Sequence, residues 1–283
     1  MIKLGVPNKG RLSDKSFELL TQAGFRIRTK ERKLSAFCDN FTMEVIFARA
    51  ADIPEFIQEG ILDLGITGED LVEENNVEVE KILELDFGQA ELVFAVAKEF
   101  DQAQLLSKRI KVATSYPRMT REYCALQGID AEIIDMSGAV ELAPKLGLSE
   151  AIVDLSSSGE TLRMNDLMPL ATICKTQACL FANKAKAVSE KKTIHQIVTS
   201  LSSVLMAYEQ KLLIANLPKE SLAELSAIAP GLSGPTVMSI LGRDDLCAVQ
   251  VVINEKESAA VIDRLKKLGA SGLLVTNIEQ MVP

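Results

Sequence analysis

The run DLSSSGETL, residues 154–162, concentrates side chains able to do chemistry. An apolar strand-like stretch, AIV, precedes it and a helix-like stretch follows. Ser156, Ser157, Ser158, Gly159 and Thr161 therefore stand where backbone N–H groups and hydroxyls can converge on an anion such as phosphate at a helix N-terminus. Asp154, at the carboxyl end of the strand, can accept hydrogen bonds from sugar hydroxyls or help to hold a hydrated Mg²⁺. A capped loop that binds nothing has the same spacing, and both readings stand at this point. In PNKGRL, residues 7–12, Lys9 and Arg11 flank Gly10 after another strand; they can neutralise an anionic substrate or simply be solvated turn charges. GITGED, residues 65–70, places Gly65 and Gly68 around Thr67 after a third strand, a loop that permits close approach.

These loops need a scaffold, and the first two-thirds of the chain alternates strand and helix signals. Strands are expected at 2–6, 43–48, 91–96, 110–113, 133–136 and 152–155, a short one in LDLGITG, and one long strand at 172–181. Helices open at Ser13-Asp14, around Pro54 and at Pro117, and close at Gly24, Gly60 and Gly128. This order is the α/β pattern. A long amphipathic helix follows, with Ile194, Ile197, Val198, Leu201, Val204, Leu205 and Tyr208 at helical spacing. The last seventy or so residues read as strand 212–215, helix 220–228, strands 237–241 and 248–253, helix 258–268 and strand 273–278. That is the ferredoxin-like βαββαβ order, often used to sense ligands.

Composition narrows the chemistry. The chain has 283 residues, 47% hydrophobic and 25% charged, which suits a globular protein of about two domains with room for a small third. A net charge of −8 disfavours nucleic acid, since the most basic stretch, residues 30–33, is short and followed by acidic sequence. The single histidine, His195, lies beside the apolar stripe of its helix, which removes histidine acid–base chemistry and catalytic triads. The five cysteines (Cys38, Cys124, Cys174, Cys179 and Cys247) show no C-x-x-C spacing and read as reduced; Cys174 and Cys179 would face opposite sides of one strand, which argues against zinc. No Walker loop or GxGxxG is present, DFG at 86–88 lacks its kinase companions, and Glu69-Asp70 and Glu73-Glu74 read as solvated helix faces. No secretory signal or membrane span is apparent, so a cytoplasmic protein with no membrane partner is expected.

Together, PNKGRLS, ADIPEFIQEGILDLGITGEDLV, TSYPRMTREY, SGAVELAPKLGLSEAIVDLSSSGETLR, PGLSGPTV and LGASGLLVTNIEQM resemble, in order over nearly the whole chain, the ATP phosphoribosyltransferase family. The βαββαβ tail makes the resemblance one to the long form, which carries its own regulatory domain. It implies an α/β, two-domain catalytic body like type II periplasmic binding proteins, plus a C-terminal ferredoxin-like (ACT-like) domain. The expected boundaries are 1–90 with 177–210 for catalytic domain I, 91–176 for catalytic domain II, and 211–283 for the regulatory domain. The implied reaction moves the phosphoribosyl group of phosphoribosyl pyrophosphate (PRPP) to N1 of ATP with Mg²⁺, as the first step of histidine biosynthesis. No histidine base is needed, because N1 attacks as a neutral lone pair and pyrophosphate leaves already ionised.

The resemblance also assigns residues. Asp154, Ser156, Ser157, Ser158, Gly159 and Thr161 would hold the ribose and 5′-phosphate of PRPP, with Glu141 as an acidic neighbour; Glu141 and Asp154 would contact Mg²⁺, directly or through water. Lys9, Arg11 and Arg49 would surround pyrophosphate and the ATP phosphates, while Gly68, Asp70 and Tyr116 would lie near the nucleotide, Tyr116 stacking on adenine. Asn216, Leu232, Thr236, Val252 and Gly272 would line a site for the inhibitor L-histidine, and the chain would form homodimers that assemble into homohexamers. Two departures from the family pattern are Glu160, a negative charge beside the phosphate loop, and Ser233-Gly234 in the tail. The alternatives are a two-domain binding protein without catalysis and another amino-acid-regulated enzyme with a similar tail.

Overall fold

The computed structural model describes residues 1–28 and 34–282, so the basic stretch at 30–33 lies outside the described residues. By contacts the chain divides into two compact units, one of Met1–Thr21 with Phe25–Val198 and one of Gln22–Gly24 with Thr199–Pro283.

The first unit holds two sheets. Its chain runs β1 (Ile2–Pro7), α1 (Ser13–Gln22), β2 (Ser35–Phe37), β3 (Met43–Ala48), α2 (Ile53–Gln58), β4 (Leu64–Gly68), α3 (Glu69–Asn75) and β5 (Glu80–Glu84). It then crosses to β6 (Ala90–Ala97), β7 (Ile110–Thr114), α4 (Pro117–Gln127), β8 (Ala131–Asp135), β9 (Ala151–Ser156), α5 (Glu160–Met164) and β10 (Leu167–Thr176). It returns through β11 (Ala178–Ala182), α6 (Lys184–Ser189) and α7 (Lys191–Ala207). Among the described residues the sheet orders are β2-β3-β1-β4-β11-β5 and β10-β6-β9-β7-β8. The inner strands β1, β3 and β4 run parallel, as do β9, β7 and β8, so their carboxyl ends gather at one edge of each lobe. This is the two-lobed body of type II periplasmic binding proteins, an α/β architecture as the sequence suggested.

The expected single strand at 172–181 is two strands in different sheets, β10 and β11, broken at Gln177. The stretch hides that change of sheet, since both halves are legitimate strand sequence and the polar Lys175-Thr176-Gln177 between them carries no glycine or proline to mark a break. Residues 85–89 make the other crossing, and the two crossings pair: the Leu85 N–H donates to the Ala178 carbonyl (3.0 Å) and the Ala178 N–H to the Phe87 carbonyl (2.9 Å). DFG is therefore part of the crossing, with Asp86 in the left-handed region at φ 54°. Cys174 and Cys179 lie in separate sheets. The sequence pattern also missed β2 and β5, both short and not apolar-alternating.

The stripe on α7 buries Ile194, Ile197, Leu201 and Val204 and leaves His195 exposed. Tyr208, expected to continue it, follows the end of the helix and is 40% exposed.

The second unit contains β12 (Gln210–Pro218), α8 (Leu222–Ile228), β13 (Thr236–Ile240), β14 (Arg243–Asn254), α9 (Ser258–Lys267) and β15 (Ser271–Asn277). The antiparallel sheet has order β13-β14-β12-β15, the ferredoxin-like arrangement. Leu213, Ala215, Leu217, Val249 and Val251 form its core with Leu225 of α8 and Val261 and Leu265 of α9. The contact division falls at Val198/Thr199 and not at 211 because the C-terminal half of α7 packs with this unit, Ser203 accepting the Met281 N–H at 2.7 Å. No helix among the described residues is long and apolar enough to cross a membrane.

Candidate active site

In the first lobe the turns after β1 and β3 leave the sheet side by side. Pro7 pairs with Ala48, and the Asn8 N–H donates to the Ala48 carbonyl at 2.8 Å. Lys9, Arg11 and Arg49 follow these strand ends and are exposed, so three cations stand at the carboxyl edge of the parallel strands. Buried Thr67 on β4 donates its hydroxyl to the Ala50 carbonyl at 2.8 Å and fixes the turn that carries Arg49.

The corresponding edge of the second lobe carries the serine loop. The Ser156 hydroxyl accepts the Gly159 N–H at 3.0 Å, closing the loop on itself, and Gly159 takes φ +71°, where an L side chain would be strained. Ser157, Ser158 and Thr161 are exposed, as is Glu160, whose side chain faces solvent. A cleft of about 690 Å³ runs from Ser156, Ser157, Ser158 and Gly159 along β6 and β10 to Thr176 and Gln177 at the crossing. Glu91 and Lys175 line it as an ion pair at 3.5 Å.

Asp154 is half-buried at the end of β9, with the Leu155 N–H donating to its Oδ1 at 2.8 Å. Its carboxyl is pushed up to about 6, chiefly by burial and further by the negative charge of Glu141, while the Leu155 amide and the Arg11 guanidinium act against the rise. Glu141 sits on a one-turn helix that Val140 and Ala143 anchor in the core of this lobe. Arg11 of the first lobe is thus within electrostatic reach of Asp154 of the second.

Asp70 and Tyr116 are both buried, and they are bonded to each other. The Tyr116 hydroxyl donates to Asp70 Oδ2 at 2.6 Å, and the Thr176 hydroxyl donates to Asp70 Oδ1 at 2.6 Å while accepting the Asp70 N–H at 3.1 Å. Burial first, and the Asp70 charge second, raise the Tyr116 phenol, which keeps it a donor at any working pH. Gly68 makes this possible, since a Cβ there would lie 2.2 Å from Asp70 Oδ1. The cluster joins the strand end of one lobe (β4), the helix start of the other (α4) and the crossing. The Tyr116 ring packs in the second-lobe core with Leu92, Phe94 and Met119. Sequence reasoning had no signal for the role of Thr176, which is remote in sequence and lacks a motif.

Asp154 and Glu141 fit a Mg²⁺ that would complete its coordination with water and substrate oxygens, because the Glu141 charge helps to raise the Asp154 carboxyl and a cation there would relieve that repulsion. No group of three or more His, Cys, Asp or Glu among the described residues could hold a metal by itself.

In the second unit, Asn216, Thr236 and Val252 point to the sheet face opposite the helices. Thr236 pairs with Gln250, which pairs with Ile214, and Val252 pairs with Leu212; the intervening Leu213, Ala215, Val249 and Val251 face the core. A Cβ on Gly272 would lie 3.2 Å from Asn216 Nδ2, so these two residues adjoin. Leu232 precedes β13 and is 66% exposed.

The family profile of ATP phosphoribosyltransferase matches residues 49–203, and that of the HisG C-terminal domain matches residues 207–280. ATP phosphoribosyltransferases of Methanosarcina barkeri and Methanopyrus kandleri are 40% and 41% identical to the chain, each alignment covering 100% of both proteins. Among solved structures, a chain of the ATP phosphoribosyl transferase (HisG:HisZ) complex from Thermotoga maritima superposes with a TM-score of 0.67 at 26% identity, over 73% of this chain and 99% of that one. With both profiles matched in order and full-length identity near two-fifths, the chain belongs to the ATP phosphoribosyltransferase family, in the long form with its own C-terminal domain.

Proposed function

We propose that the chain joins PRPP to ATP at the cleft between the two lobes of its body. The observation that carries this reading is Asp154, half-buried on the strand that leads into the hydroxyl loop and within electrostatic reach of Arg11 from the other lobe. A half-buried acid beside an array of donors and near a cation is arranged for a sugar phosphate that brings hydroxyls and negative charge together. Ser156, Ser157, Ser158, Gly159 and Thr161 hold the 5′-phosphate, while Asp154 and Glu141 take the ribose hydroxyls and the water shell of Mg²⁺. When bound, Mg²⁺ supplies charge neutralisation to the pyrophosphate leaving group.

In the proposed reaction the N1 lone pair of adenine attacks C1 of the ribose, and the bond from C1 to pyrophosphate oxygen breaks with its electron pair. The positive charge on the adenine is relieved when the exocyclic amino group loses a proton to solvent. Lys9, Arg11 and Arg49 stabilise the charge that gathers on pyrophosphate and orient the triphosphate of ATP. The nucleotide lies against Gly68, Asp70 and Tyr116, where Tyr116 in this conformation acts through its hold on Asp70. A cytoplasmic location is the reading that these substrates support.

The C-terminal domain is proposed to bind L-histidine at Asn216, Leu232, Thr236, Val252 and Gly272 and to inhibit the body within dimers that assemble into hexamers. Histidine then favours one conformational state over another, with a coupling of about 1–3 kcal/mol. Incubating the protein with ATP, PRPP and Mg²⁺ tests the whole reading by mass spectrometry. Phosphoribosyl-ATP and pyrophosphate are expected in equal amounts, less with histidine; binding of either substrate without product would leave a binding protein in its place.

A further inference from the structure

The two lobes are tied together by Glu74, which the sequence reading leaves as solvated charge, and Arg118, to which it gives no role. Glu74 lies near the end of α3 in the first lobe, and Arg118 is in the first turn of α4 in the second. The Glu74 carboxylate accepts the Arg118 N–H at 2.8 Å and the Met119 N–H at 3.0 Å, two of the amides that the start of a helix leaves without internal partners. In return Arg118 Nε donates to the Glu74 carbonyl at 3.0 Å and Arg118 Nη2 to the Glu73 carbonyl, capping the last turn of α3. Each charge also sits at the helix end of opposite dipole sign.

The residue at the N-cap position of α4, Tyr116, makes no side-chain cap bond, so the cap of this helix comes from the other lobe. The Arg118 guanidinium is held in line by Glu122 one turn on. Tyr116, immediately before α4, bonds to Asp70, the second residue of α3, so the same helix pair is pinned at two points.

We propose that Glu74 and Arg118 are positioning residues, a clasp of reciprocal helix caps that sets the separation between the lobe carrying the cationic turns and the lobe carrying the serine loop. The kinetic part rests on the transferase reading: N1 of ATP and C1 of PRPP approach from sites on different lobes, and loss of a fixed spacing weakens their joint binding. An ordinary surface ion pair would do almost nothing of the kind.

Hydrogen exchange on the intact chain, followed by mass spectrometry in peptides spanning 115–122, tests the clasp without any substrate. Glu74→Ala is expected to speed exchange of the Arg118 and Met119 amides by about tenfold, the size of one lost charge-assisted hydrogen bond, and Glu74→Gln, which keeps an acceptor oxygen, by less. In the assay, Glu74→Ala and Arg118→Ala should each raise KM for PRPP and ATP by about tenfold. At saturation kcat should stay within about twofold, and the double variant should be no worse than the worse single one. Thermal melting confirms that each variant is folded, and Glu74→Gln serves if Glu74→Ala is not. Unchanged exchange in Glu74→Ala overturns the clasp. Faster exchange with unchanged KM values, or single effects that multiply in the double variant, overturns the positioning role. If the wild-type chain makes no phosphoribosyl-ATP, the transferase reading fails while the exchange result still decides whether the clasp exists.

Discussion

The sheets of the body and the sheet of the C-terminal domain solve burial differently. Strands β4 and β11 are buried at every position, whereas β12 and β14 alternate buried core residues with half-buried ones. The first pattern belongs to strands covered on both faces, the second to a sheet with helices on one face only. In the body, the candidate site residues lie at strand ends, loops and helix starts, because the sheet faces are taken up by packing. In the C-terminal domain the face away from the helices is only half-buried on β12 and β14 and mostly exposed on the edge strands, and the proposed histidine-binding residues Asn216, Thr236 and Val252 lie on it.

The largest expected effect tests that contrast directly. Leu180, in the middle of β11 and fully buried, should cost about 2–5 kcal/mol when changed to alanine, through lost transfer energy and a cavity. Leu274 of β15, opposite Ile214 on the open face and 64% exposed, should cost less than about 0.5 kcal/mol for the same change. Denaturant melts of the two variants give the comparison. Equal losses would mean that the open face is packed in solution and that the contrast fails.

A second expectation concerns Asp154, where site and stability oppose each other. Burial pushes its carboxyl up to about 6, above the 3.8 of an unperturbed aspartate, so the folded state resists ionisation more than the unfolded chain does. The resulting penalty is fully present above pH 6 and fades as pH falls toward 4. Asp154→Asn should therefore stabilise the ligand-free protein by about 1–3 kcal/mol at pH 8 and by less at pH 5, as read from melts at both values. The same variant should bind PRPP about 10–100-fold more weakly by titration calorimetry. A variant less stable than wild type at pH 8 would show that the carboxylate is held by favourable contacts and not against its charge.

Comparable in size, but of opposite sign, is Tyr116→Phe. It removes one of two hydroxyl donors to the buried Asp70 carboxylate and should cost about 1–3 kcal/mol in a melt, with Thr176→Val comparable. If both variants match wild type, the cluster does not join the lobes in solution.

How much of this was legible in the sequence follows from the same contrast. The βαββαβ order could be read because alternation in β12 and β14 marks strands, and Gly128 and Pro117 mark α4 because caps are local chemistry. The serine loop could be read because strand, hydroxyls and helix are consecutive. The break at Gln177 could not, since strand-like sequence with no glycine or proline carries no record of which sheet it joins. Glu74 and Asp70 were read as solvated and Arg118 drew no role of its own, because their partners lie 44, 46 or 106 residues away. Local pattern records what a residue does to its own backbone; a contact between lobes leaves no such record.

The smallest effect on stability should carry the sharpest functional consequence. Asn216 is half-buried on the open face beside Gly272, so Asn216→Ala removes neither core volume nor a capped turn and should shift the melt by less than about 0.5 kcal/mol. If the open face recognises the amino group or carboxylate of histidine, losing the amide leaves those polar groups short of a partner, and inhibition should need at least about tenfold more histidine. Turnover without histidine should be unchanged, because the cationic turns and the serine loop belong to the body. Gly272→Val approaches the same spot by bulk: its side chain would press on Asn216 at a φ of +58°, so it should lower both histidine response and domain stability. Wild-type inhibition in Asn216→Ala would move the inhibitor off this face, and the two kinds of sheet would then differ in packing alone.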